Sequence, residues 1–130
     1  MNIRLIEVKE HYCLLEMPIK KEMINGLKTV HGGITFAFAD SALAFSSNNT
    51  GDAAVALNCM INFTKAVRLG DTLFAESILM ADTRKTAVYD ITITNQHKVV
   101  VASFRGTVYK IDKKGFGLEW EKVSVPFAVK

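Results

Sequence analysis

The sequence predicts an α+β fold in which one long apolar helix is enclosed by a single antiparallel sheet. From Ile34 to Phe45 the chain reads Ile, Thr, Phe, Ala, Phe, Ala, Asp, Ser, Ala, Leu, Ala, Phe, with apolar side chains in nearly every direction around a helix. Such a helix must be covered by protein. Almost everything after it alternates at the strand period of two or marks a turn. With 130 residues, 49% of them apolar and 22% charged, the chain can bury one good core. A single domain over 1–130 is expected, with its core at about 2–111 and a C-terminal extension at 112–130.

The elements follow in order. Residues 2–8 and 11–17 read as two short strands, with Pro18 closing the second. Residues 19–31 form a polar, irregular approach. The helix starts near Gly33 and runs to Asn48 or Asn49, and Gly51 is placed to stop it. From Val55, the residues Val55, Leu57, Cys59, Ile61 and Phe63 alternate with Ala56, Asn58, Met60, Asn62 and Thr64. Gly70-Asp71 turns into 72–80, residues 81–84 turn into 85–94, and 95–98 turn into 99–110. A four-strand meander curling around the helix is the expected arrangement. Phe116, Trp120 and Phe127 in the tail suggest that it packs, without assigning an element.

Composition excludes several classes of function. Sixteen basic residues against 13 acidic ones give a net charge of +3, which suits a phosphorylated small molecule but lacks the basic face of a nucleic-acid binder. The longest apolar run is broken by Asp40 and falls short of the roughly 18 residues of a membrane span. Arg4, Glu7, Lys9 and Glu10 interrupt any leader-like stretch. Cys13 and Cys59 are read as free thiols of a cytoplasmic protein. His11, His31 and His97 show no metal-ligand spacing, and no P-loop, dinucleotide fingerprint or serine elbow is present, so neither metal nor cofactor is expected.

The chemistry concentrates between Asn25 and Asp40. Gly32 opens the helix, where backbone N–H groups lack intrahelical partners and the dipole is positive. Such an amide can polarise a carbonyl. The glycine pair equally well makes the tight turn into the helix, and the residues alone leave both readings open. Asp40 is costly to bury without a partner or a purpose; a carboxylate bonded to a nearby Ser or Thr is the plainer alternative. Eight residues separate it from Gly32, about 12 Å along a straight helix. If both are catalytic, they meet only across two antiparallel copies of the helix, in a dimer. His31 holds the turn or donates a hydrogen bond. Thr83-Arg84-Lys85-Thr86 sits at a strand turn, where it is either solvated or meets phosphates.

Met23-Ile-Asn25-Gly26, His31-Gly32-Gly33, Ala39-Asp40 and Asn48 to Gly51 closely resemble the hotdog-fold acyl-CoA thioesterases of the phenylacetate-degradation type. Gly70-Asp71-Thr72-Leu73, Val88-Tyr89-Asp90-Ile91 and Phe104-Arg105-Gly106-Thr107 resemble the same subfamily, and the likeness spans about 2–111. It implies a curved antiparallel sheet wrapped around the helix, a dimer formed by two such sheets, and a tetramer of two dimers. By the resemblance, Asp40 is nucleophile or general base. Gly32 lends its amide to the thioester carbonyl from the partner subunit, Asn25 orients the thioester or water, and His31 supports the loop. Gly33, Arg84, Lys85 and Thr86 would contact the substrate. Asn58 would replace a hydroxyl that some relatives place near the aspartate. Lys28 and Thr83 depart from glycines common in the family.

The expected function is hydrolysis of a short or aromatic acyl-CoA, of the phenylacetyl or hydroxyphenylacetyl kind. A non-catalytic acyl-CoA-binding hotdog protein is the alternative. A hotdog dehydratase fits less well, because that chemistry pairs a histidine with an acid, unlike His31 in its glycine turn.

Overall fold

The computed structural model describes residues 1–24, 29–49 and 53–111. Two strands, β1 (Arg4–Lys9) and β2 (Tyr12–Pro18), precede a short 3-10 turn at Lys21–Met23 and the helix α1 (Gly32–Asn48). Four strands follow: β3 (Ala53–Phe63), β4 (Thr72–Asp82), β5 (Thr86–Thr94) and β6 (Val100–Ile111). The helix begins at Gly32, next to the expected start near Gly33, and ends at Asn48, capped by Asn49. Gly51, the expected stop, lies outside the described residues, as does the extension at 112–130.

All six strands form one antiparallel sheet in the order β1-β2-β4-β5-β6-β3. This corrects the four-strand meander. Only β4-β5-β6 is a meander, while β3 pairs with β6 and becomes an edge. Short turns, closed by Thr83 N–H to Thr86 O and Asn95 N–H to Val99 O, keep the meander strands adjacent. The stretch 64–71 is too long for a hairpin and carries the chain from one part of the sheet to another. Period-two alternation identifies strands but not their neighbours.

One face of the sheet is dry. Cys13, Leu15 and Met17 of β2, Leu73 and Ala75 of β4, Ala87, Tyr89, Ile91 and Ile93 of β5, and Phe104 and Val108 of β6 are all buried at alternate positions. Against them α1 lays Phe38, Ala39, Ala42 and Leu43, also buried, and it touches every strand from β2 to β6. Phe36 meets Phe104 edge-on with centroids 5.3 Å apart. Gly106 lets the backbones approach: a methyl there would lie 2.6 Å from a terminal carbon of Leu43.

The C-terminal end of α1 is fastened by two asparagines. Asn48 Oδ1 accepts from the Ala54 amide at 2.9 Å, while its Nδ2 donates to Ala44 O at 2.9 Å. Asn49 Nδ2 donates to Lys9 O at 2.6 Å, and its Oδ1 accepts from the His11 amide at 3.2 Å. His11 has φ +58° at the tip of the first hairpin, so this asparagine steadies a left-handed residue while it satisfies the turn. The helix therefore runs antiparallel to β3, from Phe63 beside Gly32 to Ala54 beside Asn48.

The helix is not enclosed on all sides. Gly33 is exposed, and Ala37, Asp40 and Ala44 are half-buried. At spacings of three and four residues these form one stripe. The sheet covers Phe38, Ala39, Ala42 and Leu43 and leaves this stripe, with the acid in it, more open.

Candidate active site

His31 occupies the N-cap of α1, and its side chain makes no capping bond. Backbone groups fix the turn instead: the Ile34 amide donates to His31 O at 3.0 Å, and the His31 amide donates to Met23 O at 3.4 Å. Gly32 is exposed as the first helical residue. Helix geometry leaves its N–H without an intrahelical acceptor, at the positive end of the dipole. On one side Gly32 is closely covered, since a Cβ would come 3.1 Å from Cζ of Phe63. Gly33 has open space, with nothing within 4 Å of its missing side chain. Asn25 lies outside the described residues.

Asp40 stands in the middle of the open stripe. Burial holds its carboxyl pKa above the ordinary carboxylate value, which makes the carboxylate a stronger base. The hydroxyls nearest in sequence are engaged elsewhere. Ser41 donates to Ala37 O at 2.9 Å, Ser46 to Cys13 Sγ at 3.3 Å and Ser47 to Leu43 O at 2.8 Å. None of these three helix serines is bonded to the acid. Across from it on β3 is Cys59, whose thiol pKa is pushed up first by burial and then by the charge of Asp40.

Asn58 does not reach this place within its own chain. A bulge between Ala56 and Asn58 resets the alternation of β3. Beyond it Cys59 and Ile61 pack on the core side, and Asn58 is exposed, paired with Thr107. Successive residues of a strand face opposite ways, so Asn58 points from the face away from the helix. Cys59 and Phe63, which the sequence does not single out, also lie beside the helix, Phe63 against Gly32.

Arg84 and Lys85 are exposed in the β4–β5 turn. Thr86 is committed to that turn, its hydroxyl 2.9 Å from that of Thr83 and its amide donating to Thr83 Oγ1 at 2.9 Å. The register puts Thr86 beside Tyr109 and Ala53 beside Ile111, at the C-terminal end of α1. One chain thus gathers His31, Gly32 and Gly33 at one end of the helix, Asp40 at its middle, and Arg84 and Lys85 at the other end.

A basic, half-buried carboxylate can attack an acyl carbon or activate water, and an unpaired helix-terminal amide can hold an oxyanion. Among the described residues no three His, Cys, Asp or Glu side chains gather as a metal set, and no helix is long and apolar enough to cross a membrane.

That constellation is of the acyl-transfer type, and residues 27–102 match the thioesterase superfamily. The chain belongs to that superfamily and is a thioester hydrolase of the hotdog fold. It is similar to the acyl-coenzyme A thioesterase PaaI of Escherichia coli, 39% identical over 111 residues, which span 85% of this chain and 79% of that protein. The structure of the E. coli protein, from the phenylacetic acid degradation operon, superposes with a TM-score of 0.83 and covers 85% of this chain and 80% of that one. A Streptococcus mutans protein whose structure contains bound acetyl-CoA is 31% identical, with a TM-score of 0.82 over 85% of this chain and 90% of that one. A putative esterase of Archaeoglobus fulgidus is 37% identical over 113 residues, 87% of this chain and 73% of that protein.

Proposed function

We propose that this protein hydrolyses acyl-CoA thioesters whose acyl group is short or aromatic, such as phenylacetyl or hydroxyphenylacetyl. The observation that carries the reading is Asp40, a half-buried carboxylate of raised pKa on the stripe of α1 that the sheet leaves open. Small residues flank it and give an acyl group access. The E. coli relative's name and the acetyl-CoA in the S. mutans structure support the same ligand class.

In the reaction, Asp40 either attacks the thioester carbon or takes a proton from the water that does. The carbonyl oxygen gains charge and is held by the Gly32 amide of a second copy. The C–S bond breaks, and CoA leaves as thiolate and takes up a proton; where Asp40 itself attacks, water then cleaves the acyl-aspartyl anhydride, releasing the free acid and restoring the carboxylate. Asn25 orients the thioester or the water, and His31 and Gly33 shape the loop around the carbonyl. Arg84 and Lys85 meet the CoA phosphates, and Thr86 holds their turn.

The proposed unit is one domain over 1–130, cytoplasmic, working as a dimer that pairs further into a tetramer. Support for the dimer comes from β3, an edge strand with Val55, Leu57, Met60 and Phe63 exposed. An apolar open edge favours pairing with another copy.

Release of free thiol from a panel of acyl-CoAs tests the reading. Asp40→Asn is expected to lower kcat by about 10²-fold or more while CoA still binds. Phenylacetyl-CoA is expected to exceed palmitoyl-CoA in kcat/KM. Binding without turnover by the unaltered protein would point to the non-catalytic alternative.

A further inference from the structure

We propose that Cys59 is a specificity-determining residue of the Asp40 site, forming the substrate-facing wall opposite the carboxylate. The inference rests on the reading of Asp40 as the group that acts on the thioester, and it extends that reading to a residue with no assigned role.

Three independent features place Cys59 there. The first is the bulge at Leu57 on β3. Without it, Asn58 and Met60 would face the helix; with it, Cys59 and Ile61 do so and pack against the core. The second is the level along the helix. Since α1 runs antiparallel to β3 between its contacts at Phe63 and Ala54, the middle of the helix lies against the middle of the strand. Cys59 pairs across the ladder with Gly106, which presses on Leu43, three residues beyond Asp40 and one turn along the same side of the helix. The third is exposure. Cys13 is fully buried, with its sulfur donating to Ala42 O at 3.4 Å and accepting from Ser46. Cys59 is only half-buried, on β3, which no other strand among the described residues flanks on its outer side.

The two groups also sense each other. Burial, and after it the charge on Asp40, raises the pKa of the Cys59 thiol, and the side chain presents a small, weakly polar surface to the acyl group. A larger residue at this position would fill space beside the carboxylate, and a smaller one would enlarge it. The site discriminates between acyl groups by that volume, and methylene-sized changes in an apolar wall alter selectivity by about 10-fold or more.

Alkylation of the full-length protein, followed by mass spectrometry of the Cys59 peptide, tests this, with Cys13 as the internal buried reference. A non-hydrolysable phenylacetyl-CoA thioether is expected to slow labelling of Cys59. Asp40→Asn is expected to speed labelling of the free protein, because it removes the charge that opposes the thiolate. Cys59→Val and Cys59→Met are expected to change the kcat/KM ratio between acetyl-CoA and phenylacetyl-CoA by about fivefold or more, with melting temperatures near that of the unaltered protein. The proposal is overturned if labelling is the same, or absent, in all three states while the thioether is shown by calorimetry to be bound. It is equally overturned if both variants fold and keep the original ratio. Turnover by Asp40→Asn is scored separately: its survival refutes the role of Asp40, whereas a dead Asp40→Asn with unprotected Cys59 refutes only the wall.

Discussion

Gly32 and Asp40 lie on one uninterrupted helix, eight residues and so about 12 Å apart along its axis. A single thioester carbonyl cannot be held by the first and attacked through the second in one chain. Because the stripe carrying Asp40 is open and built of small residues, a second helix can lie along it and bring another Gly32 within reach. If both residues act on one carbonyl, the requirement for two copies follows from helix geometry, independently of the edge strand that makes pairing favourable.

The raised pKa of Asp40 couples activity and stability to pH with opposite signs. Burial disfavours the charged form, so the folded carboxyl titrates above its unfolded counterpart. The ionised acid destabilises the fold at neutral pH, and this penalty fades as pH falls through the folded pKa. Asp40→Asn is therefore expected to melt higher than the unaltered protein at pH 7 to 8, with the gap narrowing in acid. Turnover by the unaltered protein declines over the same acid range as the base is protonated. Equal melting temperatures at all pH values would show that the carboxyl carries no burial penalty.

Ser77 on β4 is fully buried, and its hydroxyl has no hydrogen-bond partner among the described residues. An unpaired buried hydroxyl costs about 1–3 kcal/mol. Ser77→Ala is thus expected to leave stability unchanged or to raise it by about 1 kcal/mol, read as a higher urea midpoint at constant slope. A loss of stability would mean that the hydroxyl is satisfied.

Gly106 and Leu43 set the distance between β6 and the helix that carries Asp40. A methyl at Gly106 would meet Leu43 Cδ2 at 2.6 Å and Cδ1 at 2.9 Å. Gly106→Ala should destabilise by about 1–3 kcal/mol through overpacking and reduce turnover by shifting α1. Trimming the partner relieves the clash, so Gly106→Ala with Leu43→Ala should be less damaging than the two single changes added together. Strict additivity in denaturant titrations would contradict the contact.

Arg84 and Lys85 are expected to act on binding alone. Both are exposed, so each contact to phosphate is modest and screened by salt. Replacing the pair by alanine should raise KM for acyl-CoA, flatten its salt dependence and leave kcat unchanged. A pantetheine thioester, which has no nucleotide, should be hydrolysed as before. Loss of kcat on both substrates would place the turn in the chemistry instead.

The sequence made some features legible and hid others, for physical reasons. The helix was readable because a long apolar run with a glycine start and an asparagine end has few alternatives. Gly32 and Asp40 stood out because each breaks a local rule, one as a glycine at a helix start and the other as an acid among apolar residues. Strand order was hidden, since the alternation in β3 says nothing about whether β4 or β6 lies beside it. The bulge at Leu57 was also invisible, and one extra residue was enough to move Asn58 off the helix face and put Cys59 there. The openness around Asp40 depended on how the sheet covers the helix, which the residues of the helix alone do not determine.

The most direct test of a shared site uses two inactive variants. Gly32→Pro removes the amide proton at a first helical position, where proline fits the backbone, and Asp40→Asn removes the base. Each alone is expected to be dead as a homodimer. Unfolding the two together and refolding them produces heterodimers in which one site has both an intact Gly32 and an intact Asp40. Recovery of thiol release in that mixture, absent when either variant is refolded alone, is the predicted result. Heterodimers confirmed by native mass spectrometry but without activity would contradict it.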